Sequence, residues 1–185
     1  MPSHDVLKRL GTLDSKLSAN GLQAFKPFNN TYVVITEAIN RGIATGFFDD
    51  PKTVERLELA FAKLYFIAID QFARDRTLPG RWKVVRQKFL PAGISLMLGA
   101  RAHITQDLAP AMRESVKDPA VFRNDFKKID TLLLGSSTEI LKRYHASNTL
   151  VSLFKKGLRF IYEPLSMKII MRWHQQAWDE YTSGS

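Results

Sequence analysis

The stretch PAGISLMLGARAHITQDLAPAM, residues 91–112, decides how the rest of the chain is read. Its apolar residues Ile94, Leu96, Met97, Leu98, Ala100, Ala102, Ile104, Leu108 and Ala109 spread nearly all the way round a helical wheel instead of keeping to one stripe. A helix that is apolar on every side is one that other elements enclose. The spacing therefore predicts a central helix over about residues 91–113. In its middle, His103 and Asp107 stand four residues apart and so project from one face within reach of each other, with Gly99 one turn earlier, where another backbone has room to approach.

Working outward, the neighbours also read as helices. Ser3 caps an amphipathic helix carrying Val6, Leu7, Leu10, Leu13 and Leu17, which stops at Asn20-Gly21 and is expected to be peripheral. After Lys26-Pro27, Tyr32, Ile35, Ile39 and Ile43 share one face of a second helix ending near Gly46. Asp50-Pro51 is a cap followed by proline at the first helical position, and it opens a third helix through Leu57, Ala60, Phe61, Leu64, Tyr65, Ala68 and Phe72. A basic turn, RTLPGRWK, leads through Val84, Val85 and Phe89 to Pro91. Asp118-Pro119 repeats the cap-plus-proline signal for a helix through Phe122, Phe126, Ile129 and Leu133, with an interruption expected at Gly135-Ser136-Ser137 before Ile140 and Leu141. Leu150, Leu153, Phe154, Leu158 and Ile161 then form an apolar side opposite Lys155, Lys156 and Arg159, and Pro164 is expected to break this helix before LSMKIIMRWHQQAWDEY. Residues 182–185 read as a disordered tail.

No run of alternating strands and no internal repeat is visible, so the expected fold is all-α: a single domain of about six or seven helices over residues 1–185. Length and composition agree, because 185 residues with 45% hydrophobic and 24% charged side chains suit one globular domain. Cysteine is absent, which excludes disulfides, thiolate zinc sites and cysteine nucleophiles. With no signal-peptide core and no long uncharged apolar run, a cytoplasmic protein without a transmembrane segment is expected.

Chemistry concentrates on His103 and Asp107. The pair admits two readings: a general base or divalent-metal ligand oriented by its carboxylate, or a hydrogen-bonded pair joining helices, of which the second is the commoner. Glu37 within the second helix, Asp70 within the third, and Arg172 and His174 near the C-terminus are the polar residues available to complete a site. A metal would need three or four such groups to converge from different helices. The Glu-x-x-His di-iron signature, His-Glu-x-x-His, a phosphate-cradling glycine loop and Gly-x-Ser-x-Gly are all missing. His4 and His145 read as surface residues, and Trp82 as the anchor of its turn.

The formal charge is +9, and between Lys142 and Arg172 seven basic residues face the single acid Glu163. This basic third, with Lys155, Lys156 and Arg159 on one face, is either a solvated helix surface or a contact for an acidic protein, nucleic acid or an anionic membrane.

Taken in order, FNNTYVVIT, FFDDP, FAKLYFIAI, GARAHITQDLAPAM, the DF of NDFKKID and RWHQQAW resemble a family of bacterial and fungal proteins of unknown function, over about residues 28–180. That family's central signature, approximately Gly-Ala-Asn-Ala-His-Ile-x-x-Asp-Leu, is matched by Gly99, Ala100, Ala102, His103, Ile104, Asp107 and Leu108, while Arg101 replaces the Asn. The resemblance implies an all-helical fold. In addition, His-x-x-x-Asp-x-x-Pro from His103 to Pro110 is similar to a helical segment of the zinc-dependent phospholipase C and nuclease family, in which the His and Asp bind zinc; that family's other histidines and its N-terminal tryptophan ligand are not visible. The expected function is small-molecule binding or hydrolysis of an ester or phosphoester around His103 and Asp107, the alternative being an interaction module that uses the basic C-terminal surface.

Overall fold

A computed structural model describes residues 3–19, 21–86, 91–146 and 159–184. Among these residues the chain forms six α-helices and two short 3-10 turns, with no strand. The helices are α1 (Ser3–Ala19), α2 (Lys26–Ala44), α3 (Pro51–Asp75), α4 (Ala92–Ser115), α5 (Pro119–Ala146) and α6 (Arg159–Ser183). The all-α expectation is met, and α4 is the hub: it packs against α2, α3, α6 and the 3-10 turn Gly80–Arg86.

Local chemistry explains most boundaries. Asp50 accepts a hydrogen bond from the Thr53 amide at 3.0 Å, with Pro51 at the first helical position where a missing N–H costs nothing. The loop before this cap is held from outside, since the buried Asp125 carboxylate of α5 accepts the amides of Asp49 and Asp50 at 2.7 Å each. After α2, Gly46 adopts φ +70°, a left-handed conformation that suits glycine.

Two cores meet along α4. In one, Val6, Leu10 and Leu17 of α1 join Phe25, Tyr65, Phe66 and Trp82; in the other, Leu57, Leu108, Met112, Phe126 and Trp178 bring α3, α4, α5 and α6 together. Helix α1 has one buried side: Val6, Leu10 and Leu17 are fully buried where its apolar stripe seats on α2 and α3, while Lys8, Thr12, Ser15 and Lys16 are exposed. On α4, burial is nearly continuous from Ala102 to Met112, whereas Ile94 and Arg101 are exposed.

Two expected breaks are corrected. Helix α5 runs straight through Gly135-Ser136-Ser137; a single glycine costs a helix only about 1 kcal/mol, and Ser136 Oγ satisfies itself on the Leu132 carbonyl at 2.7 Å. Helix α6 runs through Pro164, whose missing hydrogen bond and ring clash cost about 3 kcal/mol near the start of a 25-residue helix without ending it. The same helix continues to Ser183, two residues into the segment expected to be disordered. Phe89, Leu150–Leu158, Lys155 and Lys156 lie outside the described residues, as do the side chains of His4, His145, Arg159 and Ile161. Among the described residues, no helix is long and apolar enough to cross a membrane.

Candidate functional site

The 3-10 turn Gly80–Arg86 lies on α4 because the Arg81 amide donates to Gln106 Oε1 at 2.5 Å and the Arg81 guanidinium to the Thr105 carbonyl at 3.0 Å. That docking drives Trp82 fully into the core, where its indole N–H donates to Asp107 Oδ2 at 3.1 Å. His103 Nδ1 lies 2.9 Å from the same oxygen. A carboxylate can only accept, so Nδ1 carries the imidazole proton and Nε2 is left as a bare acceptor, buried with no hydrogen-bond partner. His103 is 2% exposed and Asp107 4%, as their place on the central helix predicts.

Aromatic rings enclose the pair. Phe61 stacks on the imidazole at 3.6 Å between centroids, and Tyr32, Phe28, Trp82 and Tyr65 stand around it at 5.0–5.8 Å. Gly99 makes this closeness feasible: a Cβ there would sit 2.6 Å from Phe28 Cβ, which is the close approach expected one turn before His103. Burial pushes the His103 pKa below that of a free histidine, outweighing the Asp107 hydrogen bond, so the folded protein holds a neutral imidazole at pH 7. As pH falls below about 6.5, the unfolded chain takes up a proton that the folded site resists, and stability is lost. The unfolding free energy from urea titrations is expected to fall between pH 7.5 and 5.5, by up to about 1.4 kcal/mol per pH unit, and this pH dependence to flatten in His103→Gln. The lowered pKa values of Asp49 and Asp50 act only at more acid pH, so the two effects separate.

One aromatic layer beyond His103 lies a cleft of about 70 Å³ between α2, α3, α4, α5 and α6, sharing Tyr32 and Phe61 with the His103 cage. Its walls are mostly hydrocarbon: Ile35, Ile39, Val54, Leu57, Leu108, Phe126, Ile129 and Leu133. Four polar side chains, Tyr32, Thr36, Glu58 and His174, interrupt them. Tyr32 Oη and Thr36 Oγ1 are buried without a hydrogen-bond partner. His174 Nδ1 lies 2.8 Å from Asp130 Oδ1 but off the hydrogen-bond direction, so both atoms also lack a well-aimed partner. Burial, then the charges of Glu58 and Asp107, holds the Tyr32 phenol well above its ordinary pKa, and it stays protonated.

Sequence reasoning found His103, Asp107 and His174 but not the cleft. Tyr32 and Phe61 read there as ordinary core, and Glu58 and Thr36 drew no attention; a carboxylate inside an otherwise apolar helix face was the one available signal. The other candidates lie elsewhere. Asp70 is exposed and ion-paired with Arg9 at 2.5 Å, Arg172 is exposed, and Glu37 is half-buried outside the cleft lining. Arg101 is exposed, away from the buried pair. Among the described residues, no three His, Asp or Glu side chains converge as a metal ion requires, and His103 has only Asp107 beside it.

These features define a helical-bundle protein with a caged His–Asp pair backing an apolar, polar-spotted cleft. The chain belongs to the family of unknown function DUF5995, whose model matches residues 3–183 and so takes in α1 as well as the segment recognisable by eye. No curated protein and no solved structure matches it.

Proposed function

We propose that this is a small-molecule-binding protein whose cleft takes a compact, largely apolar ligand carrying one polar group. The observation that carries this is the cleft itself, walled almost wholly by hydrocarbon from five helices, with two buried, unpartnered polar atoms, Tyr32 Oη and Thr36 Oγ1, on residues that line it. Buried polar atoms nearly always have partners, and leaving one unsatisfied costs about 1–3 kcal/mol. A ligand's polar group supplies that partner, while its apolar body replaces water along the walls.

Binding is favoured over hydrolysis because a reacting atom would have to reach His103 Nε2 through the rings of Phe28, Tyr32, Phe61 and Tyr65, and Phe61 already lies flat on the imidazole. His103 and Asp107 then serve to hold Phe61 and Tyr32, the shared wall. The contact role of Lys155, Lys156 and Arg159 rests on charge alone.

Ligand-observed NMR with 2-propanol, 2-aminopropane and acetic acid, whose size suits a cleft of about 70 Å³, tests the reading. At least one of the three is expected to bind saturably, and Ile129→Phe, which fills the space from the α5 side, is expected to abolish binding without lowering Tm. Absence of binding by all three, or equal binding in a folded Ile129→Phe variant, would overturn the reading.

A further inference from the structure

We infer that the face formed by the 3-10 turn Gly80–Arg86 and the exposed side of α4 docks on a membrane surface rich in anionic lipid. This face is separate from the cleft and uses none of its lining residues.

Charge sets the kind of partner. From Arg76 to Gln106 the chain carries six basic residues, Arg76, Arg81, Lys83, Arg86, Lys88 and Arg101, and no Asp or Glu. Arg81, Lys83 and Arg101 are exposed, and among the described residues none of these three is paired with a carboxylate. The Arg81 guanidinium donates to the Thr105 carbonyl, a neutral group, so its charge is held in place without being cancelled.

Packing brings the three cations to one face. Residues three apart in a 3-10 turn lie above one another, so the complete burial of Trp82 and Val85 turns Arg81, Lys83 and Val84 outward. On α4, Ile94, Leu98, Arg101 and Thr105 recur at helical spacing and share one side. Because Arg81 is hydrogen-bonded to Thr105 and Gln106, the outer edge of the turn adjoins that side of the helix.

Two aliphatic side chains stand among the cations: Val84 is 37% exposed and Ile94 49%. Cations beside exposed hydrocarbon suit a bilayer interface, where the first meet lipid phosphates and the second enters the headgroup boundary. Nucleic acid would use the cations but gain nothing from Val84 and Ile94. Trp82, the one ring of the turn that could stack on a base, is fully buried.

The test is co-sedimentation of the full chain with vesicles of phosphatidylcholine alone and of phosphatidylcholine with about 30% phosphatidylglycerol. Binding to the anionic vesicles only is expected, falling steeply as salt rises from about 0.05 M to about 0.3 M. Each Lys or Arg near an anionic membrane strengthens binding about fivefold, so Lys83→Glu/Arg101→Glu is expected to weaken it at least about twentyfold. Val84→Ser/Ile94→Ser is expected to weaken it about tenfold. Lys117→Glu/Lys127→Glu, an equal change of net charge on exposed residues near the start of α5, is expected to alter it less than about threefold. No binding to the anionic vesicles, or equal loss in the two charge-reversal variants, overturns the proposal. Unchanged binding in Val84→Ser/Ile94→Ser, with tighter binding to a short DNA duplex than to vesicles, gives the face to nucleic acid and overturns it too. If circular dichroism shows that Lys83→Glu/Arg101→Glu does not fold, Lys83→Gln/Arg101→Gln decides: a loss of at least about fivefold is expected, and undiminished binding overturns the assignment.

Discussion

Asp107→Ala is expected to destabilise the protein by about 3–5 kcal/mol, enough to unfold it if its total stability lies near the low end of the usual 5–15 kcal/mol. One oxygen of Asp107 accepts both the Trp82 indole at 3.1 Å and the His103 imidazole at 2.9 Å. Truncation strands two buried N–H donors, at about 1–3 kcal/mol each, and leaves a small void besides. The comparison variants separate these contributions. His103→Phe removes one donor but keeps the Trp82–Asp107 bond, so it should cost less than Asp107→Ala. The double variant should cost less than the sum of the two, because the donor stranded by the first change is deleted by the second. Urea unfolding followed by circular dichroism gives all three values. A loss below about 1 kcal/mol for Asp107→Ala would mean that the pair is not what satisfies these donors.

Two glycine-to-alanine changes are expected to act with opposite sign. Gly99→Ala should destabilise by about 1–3 kcal/mol, although alanine is the better helix former. The new methyl would sit 2.6 Å from Phe28 Cβ and 2.7 Å from Cγ. Those atoms are at the root of the side chain, so they yield only if α2 and α4 move apart, which would also loosen the cage around His103. Gly135→Ala, in α5 with nothing within 4 Å of the added carbon, should instead stabilise by about 0.5–1 kcal/mol through helix propensity alone. Thermal and urea unfolding of both variants check the signs. Equal stabilisation of the two would show that the α2–α4 contact at Gly99 has slack.

Much of this architecture was legible in local chemistry. The all-round apolar character of residues 91–112 marked the hub, and four-residue spacing placed His103 beside Asp107. Asp50-Pro51 and Asp118-Pro119 marked helix starts, because caps and prolines act through the backbone of their own turn. The misjudged points were those where a local signal was weak against its context. Glycine at 135 costs a helix about 1 kcal/mol and proline at 164 about 3 kcal/mol, and long helices packed in a bundle absorb this. The leucine stripe of α1 showed that a face was buried but not what buried it.

By itself, then, the sequence determined the helical class, the central element, the capped starts and one polar pair, all of which depend on residues within a turn or two of each other. Only the tertiary structure decided that α1 belongs to the core, that Trp82 is the third member of the His103–Asp107 network, and that Glu37, Asp70 and Arg172 stand apart from it. It also decided where the cleft lies. Tyr32, Thr36, Glu58, Phe126 and His174 come from four helices. What distinguishes Tyr32 and Thr36 from ordinary core residues is the absence of a hydrogen-bond partner, and that depends on every neighbour that packing brings near.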